Sequence, residues 1–369
     1  MTQKLVAPLA VAATAALALP AAAELKYENA TGGSVKIYGQ FSPAYQSVDD
    51  GQDRKNTWVD NAHSNTRVGL WVRQPDAGGE FSFNFETALG LRSSDGVSQT
   101  FTPNGAEWDR TKLRKIDFAY TSNSWGKISA GQGSMATDGV ANADLGSNGM
   151  TTYNGIPDFA GDFLFRGPNG ALSGVSISDA FTSLDGGRRA RIRYDTPSFA
   201  GFSLSAAWGK EVLSKTNNDE YYDVALRYAN DFNGTEVTGA IGFSRRDPET
   251  GGPNVDDTIG SFNVKLQSGL VFTVAGGSRK NSGSYGYGKV GYEADWLAAG
   301  ATSFAVDYYR GSDFVVSGSE STAYGIGINQ QVDSLNTQFY LGYRRHEYSE
   351  PGTDYADIDA ILVGARWKF

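Results

Sequence analysis

Arg189, Arg191 and Arg193 stand at every second position of a run whose other members include Ala190, Ile192 and Tyr194. Side chains of an extended chain alternate between two faces, so in a strand the three guanidiniums share one side. Three cations on one face repel each other unless anions or water screen them. Lys36, Arg67, Arg73 and Lys115 fall on the same parity of earlier runs, and a long polar stretch, 134–187, supplies Asp138, Asp144, Asp158 and Asp162. Carboxylates set against cations across a gap create a transverse field. A polar solute can align its dipole with such a field, whereas an apolar solute must displace oriented water without replacing its interactions.

Bond-making chemistry finds less support. The two histidines, His63 and His346, lie near the ends of predicted outer loops and read as surface residues rather than as a base or a metal pair. There is no cysteine, hence no disulfide framework and no thiolate metal site. Gly286-Tyr287-Gly288-Lys289-Val290-Gly291 satisfies G-x-G-x-x-G, but it sits inside a strand pattern with no helix after it, so its glycines are read as relieving crowding rather than cradling a dinucleotide. Acidic loop residues Asp49, Asp50, Asp53, Asp256, Asp257 and Asp354 offer the oxygens that suit a loop-bound Ca²⁺, with ordinary solvated charge as the alternative; no other cofactor is expected. The formal charge of -9 argues against nucleic acid, whose binding depends on a Lys/Arg excess.

The elements that must position these charges are strands. Runs of alternating character recur from Val35 to Phe369: Phe81, Phe83 and Phe85 oppose Ser82, Asn84 and Glu86, and Phe339, Leu341 and Tyr343 oppose Gln338, Tyr340 and Arg344. Runs of about ten residues exceed the five or six usual in a sandwich and match a tilted strand crossing a bilayer. The spacing predicts sixteen strands, 34–45, 65–74, 79–91, 112–122, 126–133, 188–196, 202–211, 219–230, 235–246, 257–267, 270–280, 285–296, 302–314, 321–331, 336–347 and 356–369. Stretches 163–166 and 171–181 would raise the count to eighteen if they formed another hairpin; they are kept within a folded loop, 134–187. Short turns alternate with long polar loops, and Trp125, Phe199, Phe232 and Trp296 beside the short turns suit an aromatic girdle. The fold expected is therefore all-β, a transmembrane antiparallel β-barrel wide enough for an aqueous lumen. Lys4, the apolar run Leu5 to Leu19 and Ala21-Ala22-Ala23 read as a signal peptide over 1–23, leaving 24–369 as one barrel domain.

The last residues, Ile361 to Phe369, place apolar or aromatic groups at 361, 363, 365, 367 and 369 and end in an aromatic, which resembles the assembly signal of bacterial outer-membrane proteins, with Trp367 and Phe369 as its aromatic part. Pro157-Asp158-Phe159-Ala160-Gly161-Asp162 resembles the Pro-Glu-Phe-Gly-Gly-Asp stretch in the third loop of Gram-negative general diffusion porins, with Ala160 for a Gly and Asp158 for a Glu. Arg193-Tyr194-Asp195-Thr196-Pro197-Ser198-Phe199-Ala200-Gly201-Phe202 is similar to the strand, turn and strand that follow that loop. The resemblance implies that 134–187 folds into the barrel as a constriction, and that the pore passes small hydrophilic solutes and ions by passive diffusion. It further implies a homotrimer in a Gram-negative outer membrane, touching lipid and lipopolysaccharide after insertion by the barrel assembly machinery. A porin selective for a sugar or an anion is the alternative, with inward Tyr38, Tyr221, Tyr309 and Tyr340 as a scattered aromatic path. A barrel enzyme is more remote, since it would need a nucleophile, a base and an orienting group near one rim.

Overall fold

The computed structural model describes residues 25–369, and the expected signal peptide lies outside them. Sixteen antiparallel strands close into one barrel. They are β1 (Ser34–Phe41, continued after Ser42 as Pro43–Asp49), β2 (Arg67–Asp76, with an outer segment Arg54–Asp60), β3 (Gly79–Ala88), β4 (Leu113–Ser122), β5 (Gly126–Ser134), β6 (Arg188–Asp195), β7 (Phe202–Lys210) and β8 (Glu220–Phe232). The second half comprises β9 (Thr235–Asp247), β10 (Val255–Lys265), β11 (Leu270–Arg279), β12 (Ser284–Leu297), β13 (Gly300–Ser312), β14 (Glu320–Val332), β15 (Thr337–Glu350) and β16 (Ile358–Lys368). Each strand pairs with its neighbour in sequence. The barrel closes where β16 runs along β1, from Asp359 opposite Asp49 to Lys368 opposite Gln40.

Two faces follow from the alternation. Phe81, Phe118, Ile192, Ile241, Val274 and Ile326 are each more than half exposed and point away from the lumen. Exposed apolar groups in this number make sense only against lipid, because a closed barrel leaves every strand hydrogen-bonded on both sides. Trp125, Phe199, Phe232 and Trp296 lie exposed at or beside the short turns, while Tyr222, Tyr308, Tyr324 and Tyr343 form a second exposed set toward the long loops. No helix among the described residues is long and apolar enough to cross a membrane.

The segment between β5 and β6 turns inward and makes a core of its own. It carries the hairpin Leu164–Arg166 with Leu172–Ser176, in a separate two-stranded sheet, so the barrel keeps sixteen strands rather than eighteen. Ile156, Phe163, Phe165, Ile177 and Phe181 of this loop are almost completely buried, packed against Tyr285, Tyr309, Tyr348, Ile358 and Leu362 of the wall. Small residues make the seat: a Cβ at Gly327 would lie 2.1 Å from Thr151 Oγ1, and one at Gly342 would lie 2.8 Å from Thr151 Cβ. The loop thus fills the side of the barrel formed by β8 to β16 and leaves β2 to β6 facing open space.

The G-x-G-x-x-G expectation needs correction on one point. Gly286 and Gly288 share the outward parity of exposed Val290, and a Cβ at either would meet nothing within 4 Å. Crowding therefore does not explain them.

Candidate functional site

On the open side the wall is rich in cations, and Asp60, Asp95, Asp109 and Glu211 border the same space. Arg188, Arg189 and Gln132 at the outer ends of β6 and β5, with Arg114 of β4, line a chamber of about 690 Å³. Below them the side chains converge on one carboxylate, Glu86: Arg114 Nε donates to it at 2.6 Å, Tyr38 Oη donates at 2.9 Å, and Arg67 Nε lies at 3.6 Å. Arg67 feels the charges of Arg114, Arg188 and Arg366, and Lys368 those of Arg366 and Arg67. Arg366 donates to Ser64 Oγ at 3.0 Å and to Gln338 Oε1 at 2.7 Å, and with Lys368 it lines an inner chamber of about 450 Å³. Arg188, Arg114, Lys115, Arg67, Arg366 and Lys368 accordingly form a column running from the outer chamber to the inner one.

Of the three arginines first singled out, only Arg189 reaches open space. Its guanidinium lies 4.1 Å over the Tyr221 ring and 3.5 Å from Glu211. Arg191 is buried, with Nη1 and Nη2 donating to the two oxygens of Asp117 at 2.8 Å each. Register explains the pair: Asp117 and Arg191 both stand opposite Gly131 of the strand between them, and a Cβ at Gly133 would lie 2.8 Å from Arg191 Nη2. The bare glycine strand lets the guanidinium lie flat across it. Arg193 donates to Asp195 and to the Met135 carbonyl.

The opposition of these arginines to Asp138, Asp144, Asp158 and Asp162 is therefore corrected. Each arginine is neutralised from within the wall or its rim: Arg189 by Glu211 just beyond β7, Arg191 by Asp117 two strands away across Gly131, and Arg193 by Asp195 two residues on along its own strand. Asp138 stands 4.0 Å from Arg188 instead. Asp144 pairs with Lys289, whose side chain is fully buried in the loop seat. Asp158 lies 3.9 Å from His63 Nδ1, and burial together with the charge of Asp95 pushes its carboxyl well above the ordinary range. Asp162 is raised by burial and by Asp95 and Asp179. Arg73 sits near the short-turn end, half exposed, 4.0 Å from Glu80 and over the Trp71 ring. Lys36 is opposite Trp71 at the same end.

Several residues escaped the sequence reading. Arg114 stands where β3 and β4 slip register, Glu86 pairing with Lys115 but Thr87 with Leu113, so a bulge turns Arg114 inward against the alternation. Arg188 begins its strand. Arg227, Lys289, Arg344 and Arg366 stand on readable inward parity; Arg344 is buried against Asp307 at 2.7 Å and lies over Phe159. Of the histidines, His63 is partly exposed to the inner chamber, whereas His346 is no surface group. The His63 ring rests 3.7 Å from that of Tyr153, and His346 is fully buried beside Phe181. Asp49, Asp50, Asp256 and Asp257 are each paired with an arginine, and no three acidic or histidine side chains among the described residues converge as metal ligands.

A sequence model of Gram-negative porins matches residues 10–351. The chain belongs to the Gram-negative porin family. A search of curated proteins finds no significant match. Among solved structures, this porin is similar to the anion-selective porin from Comamonas acidovorans, with a TM-score of 0.62 at 14% identity over 91% of this chain and 100% of that one. It is also similar to Salmonella typhi OmpF in complex with daunomycin, TM-score 0.58 at 14% identity over 92% and 99%. A trimer form of in-vitro folded OmpT from Vibrio cholerae gives 0.55 at 15% identity over 91% and 99%. At such identities the likeness is one of fold. Family and barrel together make the protein a channel of the outer membrane of a Gram-negative bacterium.

Proposed function

We propose that this porin passes small hydrophilic solutes by passive diffusion and favours anions among the ions. The observation that carries the reading is the basic column on the open side, where six cations surround Glu86, with Asp60 beside Arg67, Asp117 beside Lys115 and Asp138 at the outer edge. Low-dielectric walls focus the field of that column into the gap, raising the local concentration of anions and lowering that of cations. The relative from Comamonas acidovorans, described as anion-selective, is consistent with this preference. Arg189, Arg67 and Lys115 keep their place as pore-lining cations in the proposal, whereas Arg191 and Arg193 act as props of the loop root. Reversal potentials of single channels in a KCl gradient test it: the expected sign is that of chloride preference, and a cation-preferring channel would overturn it.

A sugar path along inward tyrosines is less well supported, because Tyr309 and Tyr340 are buried beneath the loop and Tyr38 is bonded to Glu86. A catalytic reading gains nothing from His63 and His346, which pack on aromatic rings. The assembled form is proposed to be a homotrimer, in line with the trimeric Vibrio cholerae OmpT. A concave apolar face on the outer wall, lined by Val72, Phe81, Phe83, Phe118, Tyr120 and Ile128, would supply the contact. Trp367 and Phe369, 5.1 Å apart beside the closing seam, are proposed as the aromatic mark read by the assembly machinery.

A further inference from the structure

The outer chamber is lined from two loops that the chain keeps far apart. Gly90, Ser93 and Asp109 belong to the loop between β3 and β4, Leu213, Ser214 and Lys215 to the loop between β7 and β8, and both border the same space above Arg114 and Arg188. One side chain joins them. Arg110 Nε donates to the carbonyl of Leu213 at 2.8 Å, and its Nη2 donates to the carbonyl of Ser214. The planar fork of a guanidinium suits two adjacent carbonyl oxygens in a way that a single ammonium cannot.

The receiving loop is held in shape for this contact. Glu211 accepts from the backbone N–H of Leu213 at 2.9 Å and of Ser214 at 3.2 Å, which turns their carbonyls toward Arg110, and it also faces Arg189. On its far flank the same loop is tied to the next one, Asn218 N–H donating to Glu249 and Glu249 N–H to Asp219, each at 3.0 Å. The bridge spans the outer ends of β5 and β6, where the constriction loop leaves and rejoins the wall. A solute entering the outer chamber passes this bridge, because residues of both loops that it joins line that space.

We propose that Arg110 sets an outer size limit on permeation, by pinning the loop at 213–214 across the mouth as a strap that lies upstream of the constriction and is independent of its charge selectivity. The strap is fastened by one exposed side chain, so its loss changes the open population modestly.

Liposome swelling with a series of neutral sugars of increasing size tests this on the full-length protein, comparing wild type, Arg110→Ala and Arg110→Lys. In both variants the flux of the largest sugar relative to the smallest should rise roughly two- to five-fold, the change permitted by losing an exposed charge-assisted contact. The reversal potential of Arg110→Lys in a KCl gradient should match wild type, because the charge is kept and only the fork is lost. If Arg110→Lys retains the wild-type size profile, or if all sugars speed up equally in Arg110→Ala, the strap has no role. Because the chain has no cysteine, the double variant Arg110→Cys with Ser214→Cys can be joined by a short bismaleimide. The joined form should recover the wild-type size profile and the unjoined form should resemble Arg110→Ala; a joined form that still resembles Arg110→Ala would overturn the proposal.

Discussion

Replacing Arg188 by Gln removes one charge from the outer end of the basic column while keeping a polar side chain of similar reach. Arg188 is the suitable choice because its side chain is about one-third exposed and its nearest acid, Asp138, is at 4.0 Å, so folding depends on it little. An anion passing in contact, about 4 Å away, gains roughly 1 kcal/mol from one such charge in water, and about 0.7 kcal/mol after screening at 0.1 M salt. A cation loses as much, so the anion-to-cation permeability ratio should fall by up to about ten-fold, since about 1.4 kcal/mol is one decade. Asp138, left without its cation, pushes in the same direction. The assay is the single-channel reversal potential under a KCl gradient, repeated near 1 M salt, where a Debye length of about 3 Å should shrink the difference. Arg73→Gln at the inner rim, already beside Glu80, serves as a comparison and should change the ratio much less. A ratio that stays at the wild-type value in Arg188→Gln at low salt would refute the assignment of the column as the selectivity element.

Three further outcomes follow from the seat and root of the loop. Arg344→Met leaves Asp307 buried without its cation, which should cost about 3–5 kcal/mol, seen as a lower unfolding temperature in detergent and a noisier open channel. Gly327→Val places a branched side chain where even a Cβ would lie 2.1 Å from Thr151, so the loop must shift toward the open side and conductance should drop; an unchanged conductance would contradict the seating. Asp185, which accepts from the N–H groups of Gly139 and Ala141 at the loop root, is pushed up by burial to about 7. Its neutral form is favoured in the folded protein, so its contribution to stability is present at low pH and is lost as pH rises through about 7. The charge follows the same titration: lowering pH from 8 to 6 removes a negative charge from a chamber that contains Arg189, so the anion preference should strengthen, and Asp185→Asn should abolish that step when the ratio is measured across the range.

The strands were legible because lipid and water impose period two on every one of them, and an exposed side chain such as Ile192 or Ile241 has no other reason to stand where it does. Legibility failed where the pleat is interrupted. Arg114 was hidden by a bulge, and Arg188 by its position at the first residue of a strand, since parity has no meaning until the chain has entered the ladder. The Asp158 and Asp162 motif was recognised, but its sequence neighbours said nothing about which wall the loop would choose. That choice was written elsewhere, in the small inward residues Gly327 and Gly342 and in Tyr285 and Tyr309, which read along their own strands only as ordinary lumen positions. Arg191 shows the same limit: its inward parity was readable, yet its partner Asp117 lies two strands away and is reached only across Gly131.

A loop held by single charges at its tip would flicker on the microsecond scale common to surface loops, and the pore would flicker with it. This one buries Phe163, Phe165 and Phe181 against the wall and fixes Lys289 with Asp144 and Arg344 with Asp307 beneath it. Losing one buried phenylalanine typically costs about 3–5 kcal/mol, so displacing the whole segment is far beyond thermal reach without unfolding part of the core. The loop is therefore a fixed wall, and on the function proposed above selectivity comes from the charges opposite it rather than from its motion. It follows that Phe165→Ala, which removes packing and no charge, should broaden the distribution of conductances while leaving the mean reversal potential where it was. A shifted reversal potential in that variant would mean that the loop face, and not the basic column, carries the preference.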